Sequence, residues 1–133
     1  MASRILIHCD LDAFFAAVET LHHNLDPEIP LILGSDPKGG RGRGIVSTCN
    51  YVARKYGIHS AMPIGEAWRR CPGPPHGPGY YLKSTRGLYS RASRKVMSIL
   101  SEHADKFEQA SIDEAYLDVT EYCANDWDKA LSL

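Results

Sequence analysis

Three carboxylates are the strongest candidates for chemistry in this 133-residue sequence. Asp10 directly follows the apolar run at residues 4–9, and the adjacent pair Asp113 and Glu114 lies between two strand-like segments. If these regions are sheet neighbours, the three acids meet at one end of the sheet and repel one another unless cations lie between them. Mg²⁺ prefers such oxygen ligands, and two ions about 4 Å apart can promote phosphoryl transfer. Alternatively, the adjacent acids only supply turn geometry and solubility.

Other candidate sites are weaker. Ser111 precedes the acidic pair and could orient it through hydrogen bonds. The glycine-rich segment at 39–44 is not a P-loop, because no Gly-Lys-Ser/Thr follows it. His8 and Cys9 have no partner at metal-ligand spacing, so we interpret them as core or edge residues of a strand. The four cysteines form no Cys-x-x-Cys pair, which favours reduced thiols over a zinc site or a disulfide framework.

Charge is distributed unevenly along the chain. Residues 38–95 contain twelve basic side chains and a single acid, whereas residues 102–128 contain nine acids and one base. This pattern is expected of a protein that binds a polyanion close to a cation-binding site. It is equally expected of a protein with two solvated faces of opposite charge. The composition, 44% hydrophobic and 23% charged, is that of a globular protein. The sequence has no apolar run of membrane-spanning length and no signal-peptide layout, so we expect a cytoplasmic protein without a membrane partner.

Strand-like and helix-like segments must position these acids. Apolar runs and turn signals predict strands at 4–9, 31–33, 45–49, 80–82, 107–110 and 115–119. Helical spacing predicts helices at 13–25, 51–56, 63–70 and 85–103, with another from 126. Asp12 is expected to cap the first helix and Asn50 the second. The order of elements favours an α/β or α+β domain with a mixed or antiparallel sheet.

Apolar periodicity also predicts which helix faces are buried. In the first helix the apolar positions are 14, 17, 18, 21 and 25, a pattern that leaves Phe15 off the buried face. In the long helix at 85–103 the predicted stripe contains Leu88, Ala92, Val96, Ile99 and Leu100.

Three strings then relate the sequence to a known family. They are HCDLDAFFAAVE at 8–19, STCNYVARKYGIHSAMPIGEA at 47–67 and QASIDEAYLDVT at 109–120. In this order they resemble the Y-family translesion DNA polymerases, and within them the DinB branch that includes DNA polymerase IV. The resemblance spans residues 4–120. It implies low-fidelity, template-directed addition of dNTPs to a primer 3′-hydroxyl by two-metal-ion nucleotidyl transfer, in translesion synthesis and DNA repair.

The resemblance also implies roles for individual residues near the acids. Asp10, Asp113 and Glu114 would be the catalytic residues and would bind two Mg²⁺ ions, with the backbone carbonyl of Leu11 as a further ligand. Phe15 would be the steric gate, whose ring excludes the 2′-hydroxyl of a ribonucleotide. A core role for Phe15 is the alternative.

The second string implies a nucleotide-binding set. Tyr51 and Arg54 would contact the triphosphate, with Thr48 in support. A planar guanidinium suits this task because it can bind phosphate oxygens in a bidentate manner. The alternative for Arg54 is a solvated helix residue beside Lys55.

The resemblance implies an α+β fold, an incomplete polymerase palm with a mixed, largely antiparallel sheet and a small fingers subdomain. The first part of the palm would span 1–35, the fingers 36–79 and the truncated second part of the palm 80–133. We expect an N-terminal catalytic fragment whose partners are primer–template DNA and dNTP, with any sliding clamp bound by a region beyond this chain. Two further hypotheses are that the fragment binds metal and nucleotide without turnover, and that it self-associates through exposed sheet edges.

Overall fold

The structure is a computed structural model that describes residues 3–85 and 87–133. The chain divides into two compact units, the first made of residues 1–12 and 87–133 and the second of residues 13–86. The described part of each unit contains one three-stranded sheet. The predicted α+β class is confirmed, with the strands divided between two sheets. The functional division into palm and fingers stays a prediction.

Strands and helices alternate along much of the chain. The strands are β1 (Leu6–Asp10), β2 (Leu31–Gly34), β3 (Val46–Cys49), β4 (Tyr80–Leu82), β5 (Lys106–Ser111) and β6 (Glu114–Asp118). The helices are α1 (Phe14–His22), α2 (Tyr51–Arg54), α3 (Ile64–Arg70), α4 (Leu88–Ser101) and α5 (Trp127–Leu131). None of the helices in the described ranges is long and apolar enough to cross a membrane.

The first unit is built on an antiparallel sheet in the order β1-β6-β5. Alternate residues of a strand point to opposite faces, so one face can be buried while the other meets solvent. Ala115 and Leu117 of β6 lie in a buried cluster with Met97 of α4. Leu6 and Tyr116 lie on the opposite face and are exposed. We call this second surface the open face. It also includes Asp10, four residues after Leu6 on β1, and Glu114, two residues before Tyr116 on β6, because residues an even number apart in a strand lie on the same face.

Helix α4 buries a face that differs in part from its predicted apolar stripe. Leu88 and Met97 are buried, and so is the polar side chain of Ser93, which is 2% exposed. The predicted burial of Ile99 is wrong, because its side chain is 58% exposed. Ser93 can take a buried position because its hydroxyl donates a hydrogen bond to the carbonyl of Ile112.

The second unit contains a mixed sheet in the order β3-β2-β4, with β2 antiparallel to β3 and parallel to β4. Its main core includes Ile32, Val46 and Ile64. Helix α2 begins as predicted, since the Asn50 side chain accepts a hydrogen bond from the Ala53 N–H at 3.0 Å. The same oxygen accepts from the Leu31 N–H at 3.1 Å, which connects the helix start to β2.

Helix α1 differs from its prediction in two respects. Ala13 occupies the N-cap position in a left-handed conformation (φ 45°, ψ 43°) and no side chain caps the helix, so the expected capping role of Asp12 is wrong. The predicted stripe is also wrong at Leu21, which is 83% exposed, whereas Glu19 is fully buried. The polar partners of Glu19 explain its burial. Its carboxylate accepts from the Thr85 N–H at 2.7 Å and the Thr85 hydroxyl at 2.9 Å, and it lies 2.8 Å from Nε2 of His23.

These contacts lead to a prediction for the stability of the second unit. Glu19→Ala should lower the free energy of unfolding by about 2 kcal/mol, because it leaves the half-buried N–H and hydroxyl of Thr85 without their acceptor. Urea denaturation of the 133-residue chain measures the change. Glu28→Ala removes an exposed acid of the same unit and should change stability by less than about 0.5 kcal/mol. Equal effects of the two substitutions would contradict a stabilising role for the buried carboxylate.

Candidate active site

The end of the open face brings together the acids that the sequence singled out. Asp10, the last residue of β1, pairs directly with Glu114, the first residue of β6. Side chains that face each other in this way have Cβ atoms about 5 Å apart. The Leu11 N–H donates to the Asp113 carbonyl at 2.9 Å, which holds the two chain segments together just beyond the strands. The predicted convergence of Asp10 with the acidic pair is therefore present in the first unit.

A tight turn between β5 and β6 presents the other two acids. Ser111 pairs with Glu114 across the hairpin, so only Ile112 and Asp113 form the turn. The Ser111 hydroxyl lies 3.0 Å from Oδ1 of Asp113 and 3.2 Å from Oε1 of Glu114. It is placed to donate to either carboxylate, which agrees with the orienting role considered for Ser111 from the sequence.

His8 contacts the site in a way that the sequence interpretation missed. Its Nε2 lies 3.1 Å from Oε2 of Glu114, and its ring stacks on Tyr116 with centroids 4.7 Å apart. His8 is exposed and lies on β1, which is an edge strand of the described sheet, so of its two interpretations the edge position is confirmed and the core position is wrong. The two-residue periodicity of a strand could have revealed this, because it places His8 and Asp10 on the same face.

The donor set is suited to a hard divalent cation, because three carboxylates provide the oxygen ligands that Mg²⁺ prefers. Their present arrangement is not a formed cluster. Across residues 3–85 and 87–133, no three His, Cys, Asp or Glu side chains are grouped so that they could hold a metal ion. Glu114 instead contacts His8 and Ser111, and Asp113 contacts Ser111. One oxygen of Glu114, Oε2, is engaged by His8, and the other, Oε1, lies beside the Ser111 hydroxyl.

The acid at the other end of β6 is held by hydrogen bonds from its neighbours. Asp118 pairs with Leu6 at the far end of β1. Hydrogen bonds from the Thr120 hydroxyl and N–H, together with Arg4, hold the pKa of the Asp118 carboxyl below its ordinary value. Arg4 and Thr120 flank the paired ends of β1 and β6, and Asp118 lies at the opposite end of the strands from Asp10 and Glu114, so we assign Asp118 a structural role.

The predicted nucleotide-binding residues lie close together in the second unit. Tyr51 and Arg54 are exposed residues of α2, and the Arg54 guanidinium lies 4.4 Å from the centroid of the Tyr51 ring. Arg54 also approaches the buried Cys49 thiol. Burial raises the pKa of that thiol, and the hydrogen bond and charge of Arg54 oppose the increase. Thr48 is half-buried on β3, next to Cys49. Helix α2 thus presents a cation and a phenol on one exposed surface.

Phe15 occupies a position distinct from that of its neighbour Phe14. Phe14 is buried, at 8% exposure, whereas Phe15 is half-buried and packs at the margin of the cluster of Ala16, Leu31 and Leu33. The two rings are 5.9 Å apart between centroids. Phe15 therefore has the partial exposure that a contact with a substrate would need, and its gate role stays a prediction.

Comparison with known proteins places this geometry in a family. The profile of the impB/mucB/samB family matches residues 9–132. DNA polymerase IV of Methanoculleus marisnigri is 52% identical over 122 residues, which are 90% of this chain and 32% of that protein. DinB of Sulfolobus solfataricus superposes with a TM-score of 0.82 at 35% identity, covering 96% of this chain and 35% of the other. The insertion ternary complex of Dbh DNA polymerase gives a TM-score of 0.83 at 36% identity, with 96% and 36% covered. The chain spans about a third of the length of these relatives.

Proposed function

The chain belongs to the impB/mucB/samB family, and on that premise we propose that it supplies the metal- and nucleotide-binding part of a low-fidelity, template-directed DNA polymerase. The polymerase would add dNTPs to a primer 3′-hydroxyl in translesion synthesis and DNA repair. The observation that carries this proposal is the pairing of Asp10 with Glu114, beside the Asp113 turn. Three acids at one end of a sheet are electrostatically costly without a counter-charge, and a divalent cation removes that cost.

Asp10, Asp113 and Glu114 would hold two Mg²⁺ ions, with the Leu11 carbonyl as a further ligand. When bound, such ions stabilise the charge on the attacking and leaving oxygens of phosphoryl transfer. The protein's own contribution is positioning. The pairing of β1 with β6 fixes the spacing of the acids, and Ser111 orients two of them.

In the second unit, Arg54 and Tyr51 would bind the triphosphate, with support from Thr48. The exposure of Arg54 and its position above the Tyr51 ring support this role, because a guanidinium fixed by an aromatic ring needs less ordering when it binds phosphate. Phe15 would exclude the 2′-hydroxyl of a ribonucleotide. The partners would be dNTP and primer–template DNA in the cytoplasm, and a sliding clamp would bind outside this chain. Self-association of the isolated chain stays a prediction, which light scattering at high protein concentration can check.

Calorimetry and primer extension on the 133-residue chain test the proposal together. We expect dNTP to bind in the presence of Mg²⁺. We expect Arg54→Ala to weaken that binding by about 10- to 150-fold, since a charged hydrogen bond contributes about 1.5–3 kcal/mol. Lys55→Ala, a neighbouring exposed cation, is the matched control. Absence of any Mg²⁺-dependent dNTP binding would contradict the proposal. Binding without extension would favour the alternative in which this chain, about a third of its relatives' length, binds metal and nucleotide but does not turn over.

A further inference from the structure

The turn that presents Asp113 is fixed at three consecutive backbone carbonyls. The Ser111 carbonyl accepts from the Gln109 side chain at 2.9 Å, and the Asp113 carbonyl accepts from the Leu11 N–H at 2.9 Å. Between them, the Ile112 carbonyl accepts from the Ser93 hydroxyl. The middle contact differs from the others, because its donor comes from helix α4 and is buried at 2% exposure.

Ser93 is placed to control the turn because it connects the turn to the interior of the first unit. Its neighbour Met97 lies in the buried cluster beneath β6, so this part of α4 is fixed by packing. The tip of a hairpin usually points its carbonyls to water and is mobile. Here the hydroxyl of a packed helix holds the carbonyl that immediately precedes Asp113. The conformation of the Asp113 backbone is therefore tied to the position of α4.

We propose that Ser93 is a positioning residue for the metal-binding acids, acting through the Ile112 carbonyl on Asp113 and Glu114. The effect of Ser93 on metal binding rests on the proposed function, which supplies the metal site. The restraint of the turn by Ser93 depends only on the hydrogen bonds described above. Ser93 contacts neither metal nor substrate. Its hydroxyl lowers the mobility of the turn, so that the two carboxylates are held ready for a cation. Residues that hold ligands through hydrogen bonds in this way commonly change metal affinity by about 10- to 100-fold when removed.

Two measurements on the full 133-residue chain test this. The first is the affinity for Mn²⁺, used as a paramagnetic substitute for Mg²⁺ and followed by electron paramagnetic resonance. The second is the ¹⁵N order parameter of Asp113 and Glu114 without metal. Ser93→Ala should weaken Mn²⁺ binding by about tenfold. It should also lower the order parameter at Asp113 from about 0.85 toward 0.6. Ser93→Thr keeps the hydroxyl and should restore both values in part.

Ser98→Ala is the matched control, because it makes the same chemical change at an exposed position of the same helix. It should alter neither measurement. The proposal is overturned if Ser93→Ala leaves both the turn and the Mn²⁺ affinity as in the original chain. It is also overturned if Ser98→Ala has the same effect as Ser93→Ala. If the unchanged chain binds no Mn²⁺ at Asp113 and Glu114, the metal assignment fails, and the order parameters still decide whether Ser93 restrains the turn.

Discussion

Asp113→Ala in a polymerase that contains this chain should reduce primer extension by about a thousandfold or more. The metal ions that the acids would hold contribute several kcal/mol to stabilising the transition state, and each 1.36 kcal/mol is a factor of ten in rate. Because Asp113 lies in the turn beside the Asp10–Glu114 pair, its loss would remove the proposed ligand without disturbing the strand pairing. Glu114→Ala should have an effect of similar size. Single-turnover extension at saturating dNTP and Mg²⁺ measures the change.

Glu108→Ala is the control for this prediction. Glu108 is an exposed acid on β5 that pairs with Tyr116, away from the acidic turn, and its removal should leave extension nearly unchanged. Excess Mn²⁺ should recover part of the activity of Asp113→Asn, which keeps the side-chain shape but binds cations weakly. Full activity of Asp113→Ala would remove the basis for a two-metal mechanism at this turn.

Phe15→Ala should leave extension with dNTPs largely intact and admit ribonucleotides. A steric overlap in a packed site costs about 1–3 kcal/mol, so removing it should reduce the preference for dNTP over rNTP by roughly 5- to 150-fold. The ratio of kcat/KM for a matched dNTP and rNTP pair measures this directly. The prediction depends on the partial exposure of Phe15, because a fully buried ring could not contact a sugar.

Two variants separate a gate from a core role. Phe15→Tyr keeps the ring and should keep the original sugar preference. Phe14→Leu changes the buried neighbour and should lower stability while leaving the sugar preference unchanged, because Phe14 is only 8% exposed. If Phe15→Ala lowered stability strongly and left sugar selection as it was, Phe15 would be a core residue and the gate would lie elsewhere.

The strand patterns predicted where each acid of the site lies, at a strand end or a hairpin tip, and left the pairing of the two strands as a condition that the structure met. An apolar run ending at Asp10 and a hairpin with Asp113 and Glu114 at its tip are enough to predict that the acids meet once the strands pair, and the β1–β6 register has this arrangement. The Asn50 cap was also predictable, because its hydrogen bond to Ala53 is local in the sequence. Local patterns of this kind depend on residues a few positions apart, so one sequence contains them completely.

Only the tertiary structure decided which polar side chains are buried and what they hold. Glu19 is buried because Thr85, 66 residues later, supplies two donors, and Ser93 is buried because it reaches the Ile112 carbonyl, 19 residues away. Hydrophobic periodicity assigns such positions to the surface, since it counts apolar side chains and has no information about distant hydrogen-bond partners. Periodicity also does not say which part of an apolar stripe other elements cover, so Leu21 and Ile99 match the pattern and are nevertheless exposed. The lack of information about distant partners also explains why the contact of His8 with Glu114 was missed, because that contact joins two strands 106 residues apart.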